Sequence, residues 1–357
     1  MRPLSNFIAQ NALLKPGEGV AVSGGAAPAF VVIRCSNERI ALMKLVFCGT
    51  PQFAIPTLNA LAEAGHEIAL VVCQPDRPSG RGQQVSVPAV KQRALELGLE
   101  VAQPEKIKNN PELQAQLQAT GPQAIIVVAY GRIIPKWMLD MPPLGNLNLH
   151  ASLLPRYRGA APIQWAIANG EQITGATTMR IDEGLDTGDI LLQHEVPILE
   201  SDTAVTLAPR LASAGAALMV ETLRGLESGS IQSRPQDNSR ATLAPILNKE
   251  DGRMDFSRPA EVLVNRLRGF QPWPGAFTLF RGKQLQIIQA KVGDALLMQS
   301  GEIRVVQDRL LAGCGNGTVL EILEVQPEGK KHISAREFVN GYRPKEGEKL
   351  GETVSSF

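Results

Sequence analysis

"AIIVVAY" (124–130) is apolar from end to end apart from the Tyr130 hydroxyl. Side chains of a strand point alternately to opposite faces, so an unbroken apolar run means that both faces are covered. That is the environment of a parallel sheet sandwiched between helices. On either side the pattern alternates. "KLVFCGT" (44–50) and "HEIALVVCQ" (66–74) are strand-like, with a helical spacing of Phe53, Leu58, Leu61 and Ala62 between them, stopped at Gly65. Helical segments at 90–98 and 110–120 alternate with a short strand at 99–103. "NLNLH" (146–150) is the next strand, followed by a helix at 160–169, strands at 175–181 and 189–198, and a long amphipathic helix from Thr203 to Leu226. Strands alternating with helices predict a doubly wound α/β sheet.

The style changes near Glu227. Residues 228–248 are polar, rich in Gly, Ser and Pro in their first part, and weakly periodic, which reads as a linker. Beyond them a helix at 259–270 precedes five short strand-like segments with turn signals between them, and a helix at 334–342 closes the chain. This pattern predicts a small barrel. The expected organisation is an extension over 1–42, a first domain over 43–227, a linker over 228–248 and a second domain over 249–357. The extension is Gly-, Ala- and Ser-rich with no helical or strand period, and is expected to be a disordered tail, Met43 opening the first domain. Its excess of basic over acidic residues leaves organellar targeting as the alternative to a cytoplasmic, bacterial-type protein.

Composition narrows the function. The 357 residues are 44% hydrophobic and 20% charged, values of a globular protein, and the net charge of +1 provides no overall basic field. Cys35, Cys48, Cys73 and Cys314 have no metal-ligand spacing and read as reduced thiols. No run approaches the ~18 apolar residues of a membrane span. The first strand ends in "GTPQFA", not in the G-x-G-x-x-G expected of a nicotinamide site, and no nucleophile-elbow serine appears.

The chemistry concentrates at "NLNLH" (146–150). Asn148 and His150 share one face of the strand, and His150 stands at its carboxyl end, where open α/β sheets place their ligand crevice. An amide can hold a developing oxyanion and an imidazole can move a proton near neutral pH, a pairing suited to acyl transfer. The alternative is that both only satisfy backbone groups in the next loop. The acidic turn "DEGLDTGDI" (182–190) offers a carboxylate to orient His150, and Asp182, Glu183, Asp186 and Asp189 are all candidates on spacing. His66 and His194 have no partner pattern and receive no role. "QPWPGAF" (271–277) is expected to be a rigid turn packing Trp273 into the second domain. Lys330 and Lys331 read as an exposed turn.

Taken together, "NLNLHASLLPRYRGAAPIQWAI" (146–167), "GLDTGDI" (184–190), "FCGTPQFA" (47–54), "QPDRPSGRG" (74–82) and "FQPWPGAF" (270–277) resemble the methionyl-tRNA formyltransferases, a family of formyltetrahydrofolate-using transferases, in order from Met43 to Tyr342. The resemblance implies a Rossmann-like formyl-transfer domain and an OB-like second barrel that binds tRNA. It implies Asn148, His150 and Asp186 as the catalytic trio, and Ser152, Leu153, Leu154 and Pro155 as the folate pocket. The implied reaction moves the formyl group of 10-formyltetrahydrofolate, without a metal, to the amino group of methionine on initiator methionyl-tRNA. The resemblance also assigns the "DRPSGRG" insert to the tRNA acceptor stem. Arg81, flanked by Gly80 and Gly82, is the better contact, and Arg77, beside Pro78, the second. The expected protein is a monomer. The alternatives are a sister transferase acting on an amino sugar or a glycinamide nucleotide, a formyltetrahydrofolate hydrolase, and an RNA-binding module with an inert catalytic domain.

Overall fold

The computed structural model describes residues 42–79 and 84–351; residues 1–41 of the extension and Arg81 lie outside the described residues. The first sheet begins with β1 (Lys44–Gly49), α1 (Ile55–Glu63) and β2 (Glu67–Val72). A two-stranded hairpin follows, β3 (Arg77–Ser79) against β4 (Gln84–Ser86), and then α2 (Ala89–Glu96), β5 (Val101–Ala102), α3 (Pro111–Thr120) and β6 (Ala124–Val128). The turn α4 (Lys136–Leu139) leads to β7 (Asn146–His150), α5 (Pro162–Ala168), β8 (Ile173–Arg180), β9 (Ile190–Pro197) and the 25-residue α6 (Ala204–Ser228). α6 starts where the Thr203 hydroxyl accepts from the backbone N–H of Thr206, and stops at Gly229 in a left-handed conformation.

The seven strands lie in the order β5-β2-β1-β6-β7-β8-β9, parallel from β5 to β7. Alternation along β1 and β6 explains their apolar runs. Leu45, Phe47, Ile126 and Val128 enter a core under α1 and α6, whereas Val46, Cys48, Ile125 and Val127 enter a second core with Leu113, Leu117 and Met138 of α3 and α4. Each such fully buried aliphatic side chain contributes roughly 1.5–3 kcal/mol. Cys48, Cys73 and Cys314 are free and buried, and burial pushes the Cys73 and Cys314 thiols up to about 11.

The far edge of the sheet departs from a uniform parallel pattern. β8 runs antiparallel to β7, pairing Leu147 with Arg180 and His150 with Thr177, and β9 runs antiparallel to β8. The acidic turn after β8 therefore leaves the sheet at the level of Leu147, not at the His150 end where its sequence position suggests.

The second sheet comprises β10 (Ala276–Phe280), β11 (Lys283–Val292), β12 (Ile303–Val306), β13 (Arg309–Gly313), β14 (Val319–Pro327) and β15 (Ile333–Ser334). All its pairings are antiparallel, in the order β10-β11-β14-β13-β12 with β15 against β14, a small barrel-like arrangement. Helices α7 (Ala260–Gly269) and α8 (Ala335–Tyr342) close its core through Leu263, Leu267 and Phe338.

Two expectations need correction. Trp273 is 56% exposed, so it does not pack into the second domain; Phe270 is the buried ring, edge-on to Trp165 of α5. The segment after α6 is not a free linker. Arg234 exchanges two backbone hydrogen bonds with Ile190, Thr242 and Ala244 bond the backbone of Pro155 and Arg158, and the Trp165 indole donates to the Pro245 carbonyl. Polar, non-periodic sequence reads as loose because this segment is held by backbone and amide hydrogen bonds, not by an apolar face.

Candidate active site

β7 presents Asn146, Asn148 and His150 on one face and Leu147 and Leu149 to the core on the other. Asn146 is buried, and its amide donates to the carbonyls of Met138 and Leu139, a structural use. Asn148 is half-buried, and among the described residues its amide makes no side-chain hydrogen bond. His150 is 6% exposed, more deeply set than a position at the strand end suggests. The loop that follows β7 folds back over it, and its ring nitrogen Nε2 meets the Tyr157 carbonyl oxygen at 2.8 Å. A carbonyl only accepts, so Nε2 carries the hydrogen and Nδ1 is the nitrogen left to exchange a proton.

Nδ1 faces Asp186 Oδ2 at 3.6 Å. This is beyond direct hydrogen-bond range, so the carboxylate acts on the ring through its charge. Of the four acids left open by spacing, Asp186 is the one brought to His150. The turn reaches it by folding back along β7, with Asp186 at φ 52°. The same Oδ2 accepts from the Gly159 backbone N–H at 2.8 Å, which leaves the carboxylate anchored on the loop that also orients the imidazole. Asp182 is turned elsewhere, accepting from Gly184 N–H and the Thr187 hydroxyl, and Asp189 accepts from the Ser233 hydroxyl.

The stretch from Ser152 to Pro155 adjoins this group unevenly. The Ser152 hydroxyl is fully buried and donates to the Arg156 carbonyl, while its own carbonyl accepts from the Thr177 hydroxyl. Leu154 is buried with Met179 and Ile190. Those two shape the loop from inside, and the half-buried Leu153 and Pro155 are the pair with apolar surface left over. Arg77 lies on β3, exposed, with Nη2 3.7 Å from Glu105 Oε2. Among the described residues no group of three or more His, Cys, Asp and Glu side chains is arranged to hold a metal.

Comparison with known proteins follows the same division of the chain. Residues 43–223 match the formyl transferase family and residues 246–343 the formyl transferase C-terminal domain. The methionyl-tRNA formyltransferase of Koribacter versatilis (strain Ellin345) is 61% identical over 313 residues, covering 88% of this chain and 100% of the relative. That of Acidobacterium capsulatum is 63% identical over 300 residues, covering 84% and 96%. The chain belongs to the methionyl-tRNA formyltransferase family. It is a transferase enzyme, with the fold of that family. Among solved structures, an N-formyltransferase from Helicobacter canadensis, in complex with folinic acid and dTDP-3-aminofucose, superposes with a TM-score of 0.59 at 18% identity, over 80% of this chain and 100% of that one. HypX from Aquifex aeolicus, in complex with tetrahydrofolic acid, gives 0.55 at 18% identity over 88% and 49%. At that identity the likeness extends to the fold.

Three groups that complete the arrangement carry no sequence signal: the Tyr157 carbonyl, the Gly159 N–H and the side chain of Gln236. The first two are backbone atoms, and the third lies in the segment whose composition reads as a linker.

Proposed function

We propose that this family member transfers the formyl group of 10-formyltetrahydrofolate to the α-amino group of methionine on initiator methionyl-tRNA, for translation initiation, with Asn148, His150 and Asp186 as its catalytic residues. The observation that carries the assignment is the convergence of His150 and Asp186 from separate elements beside the free amide of Asn148. Bound donor supplies a formyl carbon already activated by its folate nitrogen. The neutral amine forms the new C–N bond, the bond to the folate nitrogen breaks, and that nitrogen takes up the proton the amine loses.

The protein's part is to hold charge and relay that proton. Asn148 donates to the formyl oxygen as negative charge builds on it. His150, its Nε2–H held by Tyr157, accepts and returns the proton at Nδ1. The imidazolium formed in between is stabilised by the Asp186 carboxylate on one side and the Tyr157 carbonyl on the other. Leu153 and Pro155 offer an apolar surface suited to a flat pterin, beside the strand end that bears His150. Residues 249–357 are proposed as a tRNA-binding domain, and Arg81, with Arg77 second, as a phosphate contact on the acceptor stem, where a guanidinium can bind bidentately.

The test is an acceptor survey. The protein is incubated with 10-formyltetrahydrofolate and, in parallel, charged initiator tRNA, an amino sugar nucleotide, glycinamide ribonucleotide, or water alone. Formyl on the methionine of the tRNA is the expected result. Preferential formylation of a sugar or of glycinamide, or donor hydrolysis without transfer, would overturn the assignment.

A further inference from the structure

We propose that Gln236, in the segment joining the two sheets, is a positioning residue for the His150–Asp186 pair, so that this segment is part of the catalytic centre. The inference rests on the catalytic reading of that pair. The Gln236 side chain is used at both ends. Its Nε2 donates to the carbonyl oxygens of Asp186 at 2.8 Å and Gly188 at 2.7 Å. Its Oε1 accepts from Arg158 Nε at 3.1 Å and Nη2 at 2.7 Å. A single amide thus ties the acidic turn to the loop after β7. These are the two segments whose relative position sets the geometry of the pair: Tyr157 and Gly159 on the loop hold the His150 ring and the Asp186 carboxylate.

Two features make this tie more than a surface contact. Asp186 has a left-handed backbone, φ 52°, which a residue with a Cβ keeps only when its surroundings fix it. Gly159 fixes it through the carboxylate and Gln236 through the carbonyl. Arg158, moreover, is 7% exposed, and the side-chain groups it meets are neutral amides: Gln236 and Asn238 Oδ1 at 2.8 Å. A guanidinium bonded to one end of an amide polarises it and strengthens the hydrogen bonds made by the other end. The segment is in turn pinned to the Arg158 backbone, whose N–H donates to the Thr242 carbonyl and whose carbonyl accepts from Ala244 N–H. Arg158 therefore holds the segment in place, and the segment holds Asp186.

Gln236→Glu separates positioning from simple bracing. Glutamate keeps an acceptor for Arg158, now charge-paired, so the segment stays attached. Its other oxygen cannot donate and faces two carbonyl oxygens, so the hold on the turn becomes repulsion. With the acceptor identified by the survey above, kcat is expected to fall about 10–100-fold, the scale of a sub-ångström to ångström misplacement. The KM values for donor and acceptor and the melting temperature should stay near those of the wild type. Gln236→Met, of similar length with neither donor nor charge, is the second variant and should lose kcat similarly. In an Asp186→Ala background, Gln236→Glu should add no further loss, because the group it positions is gone. A wild-type kcat in Gln236→Glu, or a loss that multiplies with that of Asp186→Ala, would overturn the proposal. Full activity in Asp186→Ala alone would instead overturn the catalytic reading beneath it.

Discussion

The His150 imidazole and the Tyr157 backbone carbonyl, seven residues apart, meet at 2.8 Å in a buried contact, so the loop that follows the strand orients the ring at the strand's end. Removing the ring has two consequences. Loss of the proton-transfer group should lower turnover by ~10²–10⁴-fold. The Tyr157 carbonyl is also left buried without its donor, a loss of roughly 1–3 kcal/mol. His150→Ala is therefore expected to be nearly inactive and measurably less stable by thermal melting. Near-normal formylation by a folded His150→Ala protein would remove His150 from the mechanism.

Asn148 offers the contrasting case. It shares the face and the proposed site but makes no side-chain hydrogen bond among the described residues. Asn148→Ala should leave the melting temperature almost unchanged while lowering kcat roughly 10²–10³-fold, the usual effect of losing one oxyanion donor. Parallel melting and steady-state measurements on the two alanine variants give the comparison. Equal destabilisation of both would mean that Asn148 serves the fold instead.

The strand bearing these residues is legible in the sequence to the residue, 146–150, because period-2 alternation and an apolar core face are local signals. The continuous apolar run of β6 and the helical periods of α3, α6 and α7 are legible too, with ends that differ from the observed ones by one or two residues. The direction of β8 is not legible, since an antiparallel strand has the same alternation as a parallel one. Nor is the β3–β4 hairpin, whose three-residue strands are too short to show a period. The segment around Gln236 escapes for a third reason. Its attachment uses amides and backbone groups, which composition cannot distinguish from solvated loop. Trp273 shows the limit of reading an aromatic residue as core when a turn between two prolines carries it outward.

The proposed tRNA contact yields a prediction about substrate, not stability. Arg77 sits on β3, and Arg81 stands four residues later in the sequence between two glycines, a residue type that permits backbone adjustment on binding. Arg81→Leu should cripple formylation of methionyl-tRNA while tetrahydrofolate binding, measured by titration, stays close to wild type. Arg81→Lys should recover only part of the rate, because an ammonium cannot bind a phosphate bidentately. Wild-type formylation by Arg81→Leu would detach the hairpin from tRNA recognition.

His66 provides a pH prediction distant from the site. Its Nδ1 accepts from the Met43 backbone N–H at 3.2 Å, so Nε2 carries the ring hydrogen, and the residue is buried. Burial holds its pKa below the ordinary histidine value, an effect that Glu227 opposes and Arg224 reinforces. The unfolded chain therefore binds a proton more readily than the folded one. The stability His66 contributes is complete above about pH 6.5 and declines as pH falls below that value towards its lower folded pKa. His66→Gln, which keeps an acceptor for Met43 but cannot titrate, should remove that part of the acid sensitivity. Melting temperatures of both proteins between about pH 7.5 and 5 are the measurement. Identical slopes would show that His66 does not contribute to it.

Two helical glycines, both without a positive φ, should respond to alanine with opposite signs. Gly269 ends α7 against α5, and a Cβ there would stand 2.6 Å from the Gln164 carbonyl oxygen and 2.8 Å from the Ala168 nitrogen. Both are backbone atoms of α5, so the helices can admit the methyl only by moving apart. Doing so loosens the cluster of Ala161, Ala168, Leu247 and Phe270, and the Arg266 guanidinium lying over the Phe270 ring at 4.8 Å. Overpacking of this kind costs about 1–3 kcal/mol. Gly341 lies within the exposed part of α8, where an added Cβ meets nothing within 4 Å. There the methyl only restricts the unfolded chain and improves helix propensity, a gain of roughly 0.5–1 kcal/mol. Gly269→Ala should therefore melt lower than wild type and Gly341→Ala slightly higher. Because α5 continues from the loop that holds His150 and Asp186, Gly269→Ala should also reduce kcat, and Gly341→Ala should not. If Gly269→Ala melts at the wild-type temperature with full turnover, the contact between α5 and α7 is looser than 2.6 Å implies, and the second domain does not brace the catalytic loop.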